Sequence, residues 1–201
     1  MNLYIGVDPS INSSGVCILG YDNDILVINK FFIIKPELTR KEKAYESDLL
    51  EYKLYNKYAI TEDLNYHTKE VYKINNIKNI VSAIFTTIDD FINSIKDDVD
   101  NIYIYACQEG ISYGSSLRTK SVADLAGLNF MLRSAFIDKN IDFIIASPSE
   151  IKKFATGKGN ADKGAILAIF DNIFKELTNV RKRDDIADAY FMALYAKEML
   201  K

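Results

Sequence analysis

Histidine and cysteine are scarce in this chain of 201 residues, which contains one histidine and two cysteines. Cys17 and Cys107 both lie inside apolar runs, GVCIL and YIYACQ. We therefore expect buried free thiols in a reducing compartment rather than a disulfide framework or a zinc site. His67 lies in a polar segment, where we expect it on the surface.

Long apolar runs and an excess of positive charge are also missing. No uncharged run approaches the roughly 18 residues that a membrane span needs. The first residues, MNLYIGVD, have neither the basic flank nor the apolar core of a secretory signal. We expect a soluble protein of the cytoplasm, bacterial or in a virus-infected cell, because the richness in Asn, Ile and Lys is typical of an AT-rich genome. The net charge of −3 means that any nucleic-acid binding would need local basic clusters.

The chain does contain enough apolar sequence for one sizeable core, and we expect a single domain spanning 1–201. Three β-rich runs, NLYIGVD, GVCILGYD and DILVINKFFII, are separated by turn-like segments and predict adjacent antiparallel strands. Residues 36–72 are charged and rich in tyrosine without a clean period. We interpret them as a surface insertion, part helical and part irregular.

Helices and strands alternate in the rest of the chain. Apolar spacing predicts a helix at about 74–95 and another at 117–137, with strands at DNIYIYACQE and IDFIIAS. SPSEIKKFA has a serine cap and Pro148 at a helix start, and further helices are predicted at about 163–177 and in the closing segment 181–200. This order predicts an α/β fold: a mixed five-stranded sheet, three antiparallel strands and then parallel ones, flanked by helices.

Acidic residues end two predicted strands and enter the last helix. Asp8 ends YIGVD and Glu109 ends YIYACQE, while Asp185 and Asp188 lie in an otherwise apolar helix. Each acid alone has an ordinary explanation, as a turn aspartate, a strand-end acid or a first-turn acid such as Asp184. Strand ends converge on one edge of a mixed sheet, however, and clustered carboxylates repel one another unless cations neutralise them. All-oxygen ligands suit Mg²⁺ or Mn²⁺, and paired ions of this kind commonly serve phosphodiester cleavage.

Four segments in this order resemble the RuvC branch of the ribonuclease H-like nucleases: IGVDPSINSSGVCIL, ACQEGISYG, SPSEIKKFATGKGNADK and DDIADA. A viral or phage member of this branch is one interpretation. The chain departs from the family pattern in its 36–72 insertion, in Ser10 where the family usually has glycine, and in the extra acid Asp184. The resemblance implies a ribonuclease H-like fold and a homodimeric Holliday junction resolvase, which cuts two opposed strands of a four-way DNA junction.

The resemblance also implies roles for individual residues. Asp8, Glu109, Asp185 and Asp188 would hold two Mg²⁺ ions, for which Mn²⁺ would substitute. Lys163 would lie near the scissile phosphate and offset its developing charge.

DNA contacts are implied mainly for the glycine-containing loop KKFATGKGNADK. Lys152 would contact the DNA backbone, and Lys153 and Lys158 add local positive charge beside glycines that let a phosphate approach closely. Tyr113, in the loop after Glu109, could stack on an unpaired base at the junction centre, and Arg118 could extend the footprint.

Two other functions remain open at this point. The chain could be a ribonuclease H-like nuclease for other branched DNA or for RNA–DNA hybrids, with the same metal chemistry. It could also be a DNA-binding module of the same fold without catalysis, although all four acids are present. The small residues Ala123, Ala126 and Gly127 are a candidate dimer face or an intramolecular packing face.

Overall fold

The computed structural model describes residues 1–45, 47–111 and 121–200. Its strands are β1 (Asn2–Asp8), β2 (Ser14–Asp22), β3 (Ile25–Lys35), β4 (Leu50–Leu54), β5 (Tyr103–Glu109) and β6 (Asp142–Ala146). Its helices are α1 (Arg40–Lys43), α2 (Tyr66–Ile95), α3 (Ser121–Asp138), α4 (Pro148–Thr156), α5 (Lys163–Ile173) and α6 (Arg183–Met199), with a 3-10 turn at Lys175–Leu177.

The strands form one mixed sheet in the spatial order β4-β3-β2-β1-β5-β6. β1, β2 and β3 pair antiparallel, and β2 and β3 are joined by a tight turn whose residues Asn23 and Asp24 have positive φ. β5 pairs in parallel with β1, and β6 in parallel with β5. The predicted α/β architecture, with antiparallel strands followed by parallel ones, is confirmed.

The predicted count of five strands is wrong, because segment 36–72 contains a sixth strand at the edge of the sheet. β4 pairs in parallel with β3, from Phe31 opposite Leu50 to Lys35 opposite Leu54. Only Leu50 of this strand is fully buried, and Leu54 is 56% exposed. An edge strand buries little and tolerates charge, so LEYKL does not stand out from its charged surroundings.

Helix α2 begins at Tyr66, well before the predicted start near Ile74. Asn65 caps it by accepting a hydrogen bond from the Thr68 backbone N–H at 2.8 Å. The first turns contain no fully buried residue, and the buried positions of the helix begin at Asn76 and Ile77. The apolar period therefore starts later than the helix itself.

A separate apolar cluster covers each face of the sheet. On one face α4, α5 and α6 pack over Tyr4, Cys17, Phe31 and Cys107. On the other face α2 and α3 pack over Leu3, Ile5, Val7 and Ile18. Both cysteines are buried and free, and His67 is exposed, as predicted. Within the described residues, no helix is long and apolar enough to cross a membrane.

Two glycines allow α6 to lie directly on the main chain of β1 and β2. A Cβ on Gly6 would overlap the carbonyl of Ala189, and a Cβ on Gly15 would overlap the carbonyl of Asp185. Gly15 is also the β2 partner of Asp8 in the antiparallel ladder. The glycines therefore place the first turns of α6 beside the end of β1.

Candidate active site

Two acids meet where β1 and β5 end side by side. These strands are parallel and in register up to Val7 opposite Gln108, so Asp8 and Glu109 leave the same edge of the sheet as neighbours. They line a cavity of about 290 Å³. The other lining residues are Pro148, Ile151, Lys152, Lys163, Ile166, Asp188 and Met192.

Helix α6 supplies the third acid of this cavity. Asp188 lies one turn inside the helix, and its side chain is 20% exposed. The surrounding α6 residues Ile186, Ala187 and Ala189 are buried against the sheet. The apolar residues around Asp188 therefore pack against the sheet and fix the position of the helix.

Asp185 lies on the same helix but does not line the cavity. It is 7% exposed, and its Oδ2 accepts a hydrogen bond of 2.7 Å from the Ser13 hydroxyl. Ser13 belongs to the turn between β1 and β2, and it is 4% exposed. Asp8, Glu109 and Asp188 therefore line one cavity. Asp185 lies outside the cavity lining and is bound by the Ser13 hydroxyl.

The acids of the cavity are difficult to ionise. Burial, together with the charges of Glu109, Asp188 and Asp185, raises the pKa of Asp8 well above its usual value. Burial and the nearby Asp188 raise the pKa of Glu109 to about 7. Burial also raises the pKa of Asp188 to about 6, with Lys163 opposing the shift. The cavity thus concentrates negative charge that lacks sufficient compensation from the protein alone.

Lys163 provides one positive charge at the rim of this cavity. It is the first residue of α5, which Asp162 caps by accepting from the Ala165 backbone N–H. Its Nζ lies 2.9 Å from Asp184 Oδ2 and 3.8 Å from Asp188 Oδ2. Burial disfavours its charge, but the hydrogen bond to Asp184 and the nearby Asp188 leave the pKa of Lys163 raised. Asp184 therefore holds the lysine toward the cavity.

The donor chemistry of the cavity fits a hard divalent cation. Asp8, Glu109 and Asp188 offer only oxygen atoms, and the raised pKa values show that these carboxylates need a cation to be charged together. Across the described residues, no group of three or more Asp, Glu, His or Cys side chains is arranged so that it could hold a metal ion. Mg²⁺ does not require one, since it usually binds one or two carboxylates and completes its shell with waters and substrate phosphates.

The predicted DNA-binding residues fall into separate groups. Lys152 lines the cavity, whereas Lys153 and Lys158 are exposed on and just after α4. Gly157 ends α4 with a φ of 77°, the left-handed conformation that glycine adopts readily. Tyr113 and Arg118 lie outside the described residues.

Sequence reasoning missed Ser13 and the role of Asp184. Ser13 occurs in the small polar segment SINSS, which the sequence identifies only as a turn. Its partner Asp185 lies 172 residues away, so no local pattern links them. The sequence identifies Asp184 only as a first-turn acid, whereas its ion pair with Lys163 gives it a specific partner.

A family profile and solved structures both resemble this chain. The profile of crossover junction endodeoxyribonuclease RuvC matches residues 59–195, a range that contains Glu109, Lys163 and Asp188 but not Asp8. Thermus thermophilus RuvC is 14% identical, with a TM-score of 0.52 over 98% of this chain and 96% of that chain. The same protein in complex with a Holliday junction substrate is 13% identical, with a TM-score of 0.53 over 99% and 97%.

A more distant structure is that of the yeast mitochondrial Holliday junction resolvase. It is 15% identical, with a TM-score of 0.44 over 94% of this chain and 75% of that chain. No curated protein sequence matches the chain. The likeness to the Thermus structures shows that this chain shares their fold over 98% and 99% of its length.

Proposed function

Since the chain belongs to the RuvC family of crossover junction endodeoxyribonucleases, we propose that it resolves four-way DNA junctions by metal-assisted hydrolysis of opposed phosphodiester bonds. The observation that carries the proposal is the convergence of Asp8, Glu109 and Asp188 on one cavity, with Lys152 and Lys163 at its side. The Thermus RuvC complex with a Holliday junction substrate supports branched DNA as the substrate class.

In this proposal the carboxylates hold the metal and the lysines hold the DNA. Asp8, Glu109 and Asp188 would hold divalent cations from the strand ends and α6, and Asp185 would complete the set from its position beside Ser13. When bound, two such ions supply a hydroxide nucleophile and stabilise the charge on the leaving oxygen. RuvC proteins generally depend on divalent metal, which accords with this donor set.

Lys163 acts on the phosphate rather than on the metal. Its side chain is 60% exposed, and Asp184 keeps its ammonium group close to the three acids, so it can meet a phosphate that enters from solvent. There it offsets negative charge that develops during cleavage. Lys152 lies on the α4 side of the cavity and binds the DNA backbone as it enters.

Cutting two opposed strands of a junction requires two active sites. We assign them to a homodimer whose two-fold axis matches that of a symmetric four-way junction. Within the described residues, Gly127 on α3 faces Ile77 of α2 in the same chain, so this glycine serves intramolecular packing. The dimer face is therefore to be sought on the exposed side of α3, where Phe130 and Ile137 are 59% and 65% exposed.

The test is a cleavage panel in Mg²⁺ and in Mn²⁺. The substrates are a synthetic four-way junction, a linear duplex of the same sequence, a flap and an RNA–DNA hybrid. Paired symmetric nicks confined to the junction support the proposal. Equal cutting of the linear duplex contradicts junction selectivity, and preferential cutting of the hybrid favours a different nuclease of the same fold.

The matched variants are Asp8→Asn and Asp22→Asn. Asp8→Asn removes one cavity carboxylate and should abolish cutting while leaving junction binding in place. Asp22 is an exposed acid at the far end of β2, so Asp22→Asn should leave both properties unchanged. Normal cutting by Asp8→Asn would refute the assignment of the site.

A further inference from the structure

Segment 55–58, which follows the edge strand β4, is tied to the turn beside the candidate active site. The Tyr55 hydroxyl donates to the Ile11 carbonyl at 2.8 Å, and Lys57 Nζ donates to Asn12 Oδ1 at 2.7 Å. Tyr55 is only 7% exposed, and its hydrogen bond to Ile11 is partly buried. Ile11 and Asn12 immediately precede Ser13, whose hydroxyl holds Asp185.

The same segment is anchored on its other side to helix α2. The buried Asn76 side chain accepts from the Tyr58 backbone N–H at 2.7 Å and donates to the Tyr58 carbonyl at 3.1 Å. Asn79 Nδ2 donates to the Asn56 carbonyl at 2.7 Å. A continuous set of hydrogen bonds therefore runs from a long helix, through segment 55–58, to the turn at residues 9–13.

The turn has internal bonds, but these do not fix Ser13 itself. Ser14 Oγ donates to the Ser10 carbonyl at 3.0 Å and accepts from the Ser10 backbone N–H at 3.1 Å. These bonds close the turn on itself and leave its orientation relative to α6 to other contacts. Tyr55 and Lys57 make their bonds at Ile11 and Asn12, the part of the turn that leads into Ser13.

We propose that Tyr55 and Lys57 are positioning residues for the nuclease site: they hold the β1–β2 turn so that Ser13 orients the carboxylate of Asp185. The inference rests on the proposed function and gives segment 36–72 a part in it. Hydrogen-bond partners of metal ligands fix the direction of the ligand, and their loss typically lowers metal affinity or activity by about 10- to 100-fold.

The first test replaces the hydroxyl that contacts Asp185. Ser13→Ala should weaken Mn²⁺ binding by roughly 10- to 100-fold, whereas Ser13→Thr, which retains the hydroxyl, should restore it. Binding is measured by calorimetric titration of Mn²⁺ into the DNA-free protein, alongside junction cleavage across a Mn²⁺ series. If Ser13→Ala binds Mn²⁺ as the wild type does, Asp185 needs no orientation from Ser13 and the inference is overturned.

The second test acts at the far end of the same set of bonds. Tyr55→Phe removes one hydroxyl and keeps the packed ring, so we expect about a two- to tenfold loss in Mn²⁺ affinity with little change in melting temperature. Tyr58→Phe is the matched control, since Tyr58 contacts Asn76 only through its backbone. Equal Mn²⁺ affinity for Tyr55→Phe, Tyr58→Phe and the wild type would overturn the positioning role.

The outcome separates this inference from the proposed function. If Asp185→Asn cuts junctions normally, the assignment of Asp185 to the site is wrong and the inference falls with it. If Asp185→Asn is inactive while the Ser13 and Tyr55 variants bind Mn²⁺ and cut normally, the site stands and the positioning role alone is refuted.

Discussion

Removing the charge of Glu109 should stabilise the metal-free protein while it destroys the site. The pKa of Glu109 is raised from 4.5 to about 7, chiefly by burial and then by Asp188. In the folded protein this acid therefore holds its proton at pH values where the unfolded chain has released it. Folding stability from this group is present below pH 4.5 and is lost as the pH rises toward 7.

The size of the effect follows from the shift. One pKa unit corresponds to about 1.36 kcal/mol, so the raised pKa of Glu109 costs the fold about 3 kcal/mol at pH 8, where the group is ionised, and about 1 kcal/mol at pH 5, where the fold must keep it protonated. Glu109→Gln removes that cost. In a chain of this length the gain at pH 8 corresponds to a melting temperature higher by roughly 6–12 °C.

The assay is thermal and urea unfolding in EDTA at pH 5 and pH 8. Glu150→Gln is the control, because Ser147 donates hydrogen bonds of 2.6 and 2.8 Å to its carboxylate and lowers the pKa of Glu150. That variant should not gain stability at either pH. Added Mg²⁺ should stabilise the wild type more than Glu109→Gln. A Glu109→Gln variant no more stable than the wild type at pH 8 would refute the reasoning from burial and charge repulsion.

Three further predictions follow from the lysines and glycines of the site. Lys163→Ala should lower the cleavage rate by roughly 10²–10³-fold, measured at saturating junction, and an unchanged rate would remove it from the chemistry. Gly15→Ala should lower the free energy of unfolding, measured in urea, by about 3 kcal/mol, because the added Cβ overlaps the main chain of α6. Gly157→Ala should lower it by about 1 kcal/mol, because this change only strains a positive φ. Lys153→Ala and Lys158→Ala should each weaken junction binding without changing its selectivity and reduce the slope of log affinity against log salt by about 1.

The strand-end acids are the part of the site that could be predicted from the sequence. Each of Asp8 and Glu109 follows an apolar strand, and parallel neighbours in a sheet end at the same edge, so their proximity follows from topology. Asp188 was recognisable because a carboxylate inside an apolar helix needs a compensating partner. The structure places all three beside one cavity.

Contacts that depend on the path of the backbone could not be predicted in the same way. The hydrogen bond from Ser13 to Asp185 depends on how closely α6 approaches β2. That close approach is seen only in the structure, where a Cβ on Gly15 would overlap the Asp185 carbonyl. The pairing of Lys163 with Asp184 depends on the relative placement of α5 and α6. Strand β4 was missed because a half-exposed edge strand does not need a continuous apolar run.

The direct contact of α6 with the main chain of β1 bears on how this protein can diverge. Because no side chain stands between Gly6 and Ala189, main-chain contact at this point sets the spacing between the strand-end acids and the helical one. Leu3, Ile5 and Val7 face the opposite layer, formed with α2 and α3, which can be remodelled without shifting the carboxylates. We expect distant descendants of this chain to keep small residues at positions 6 and 15 long after the α2–α3 layer has lost all sequence likeness.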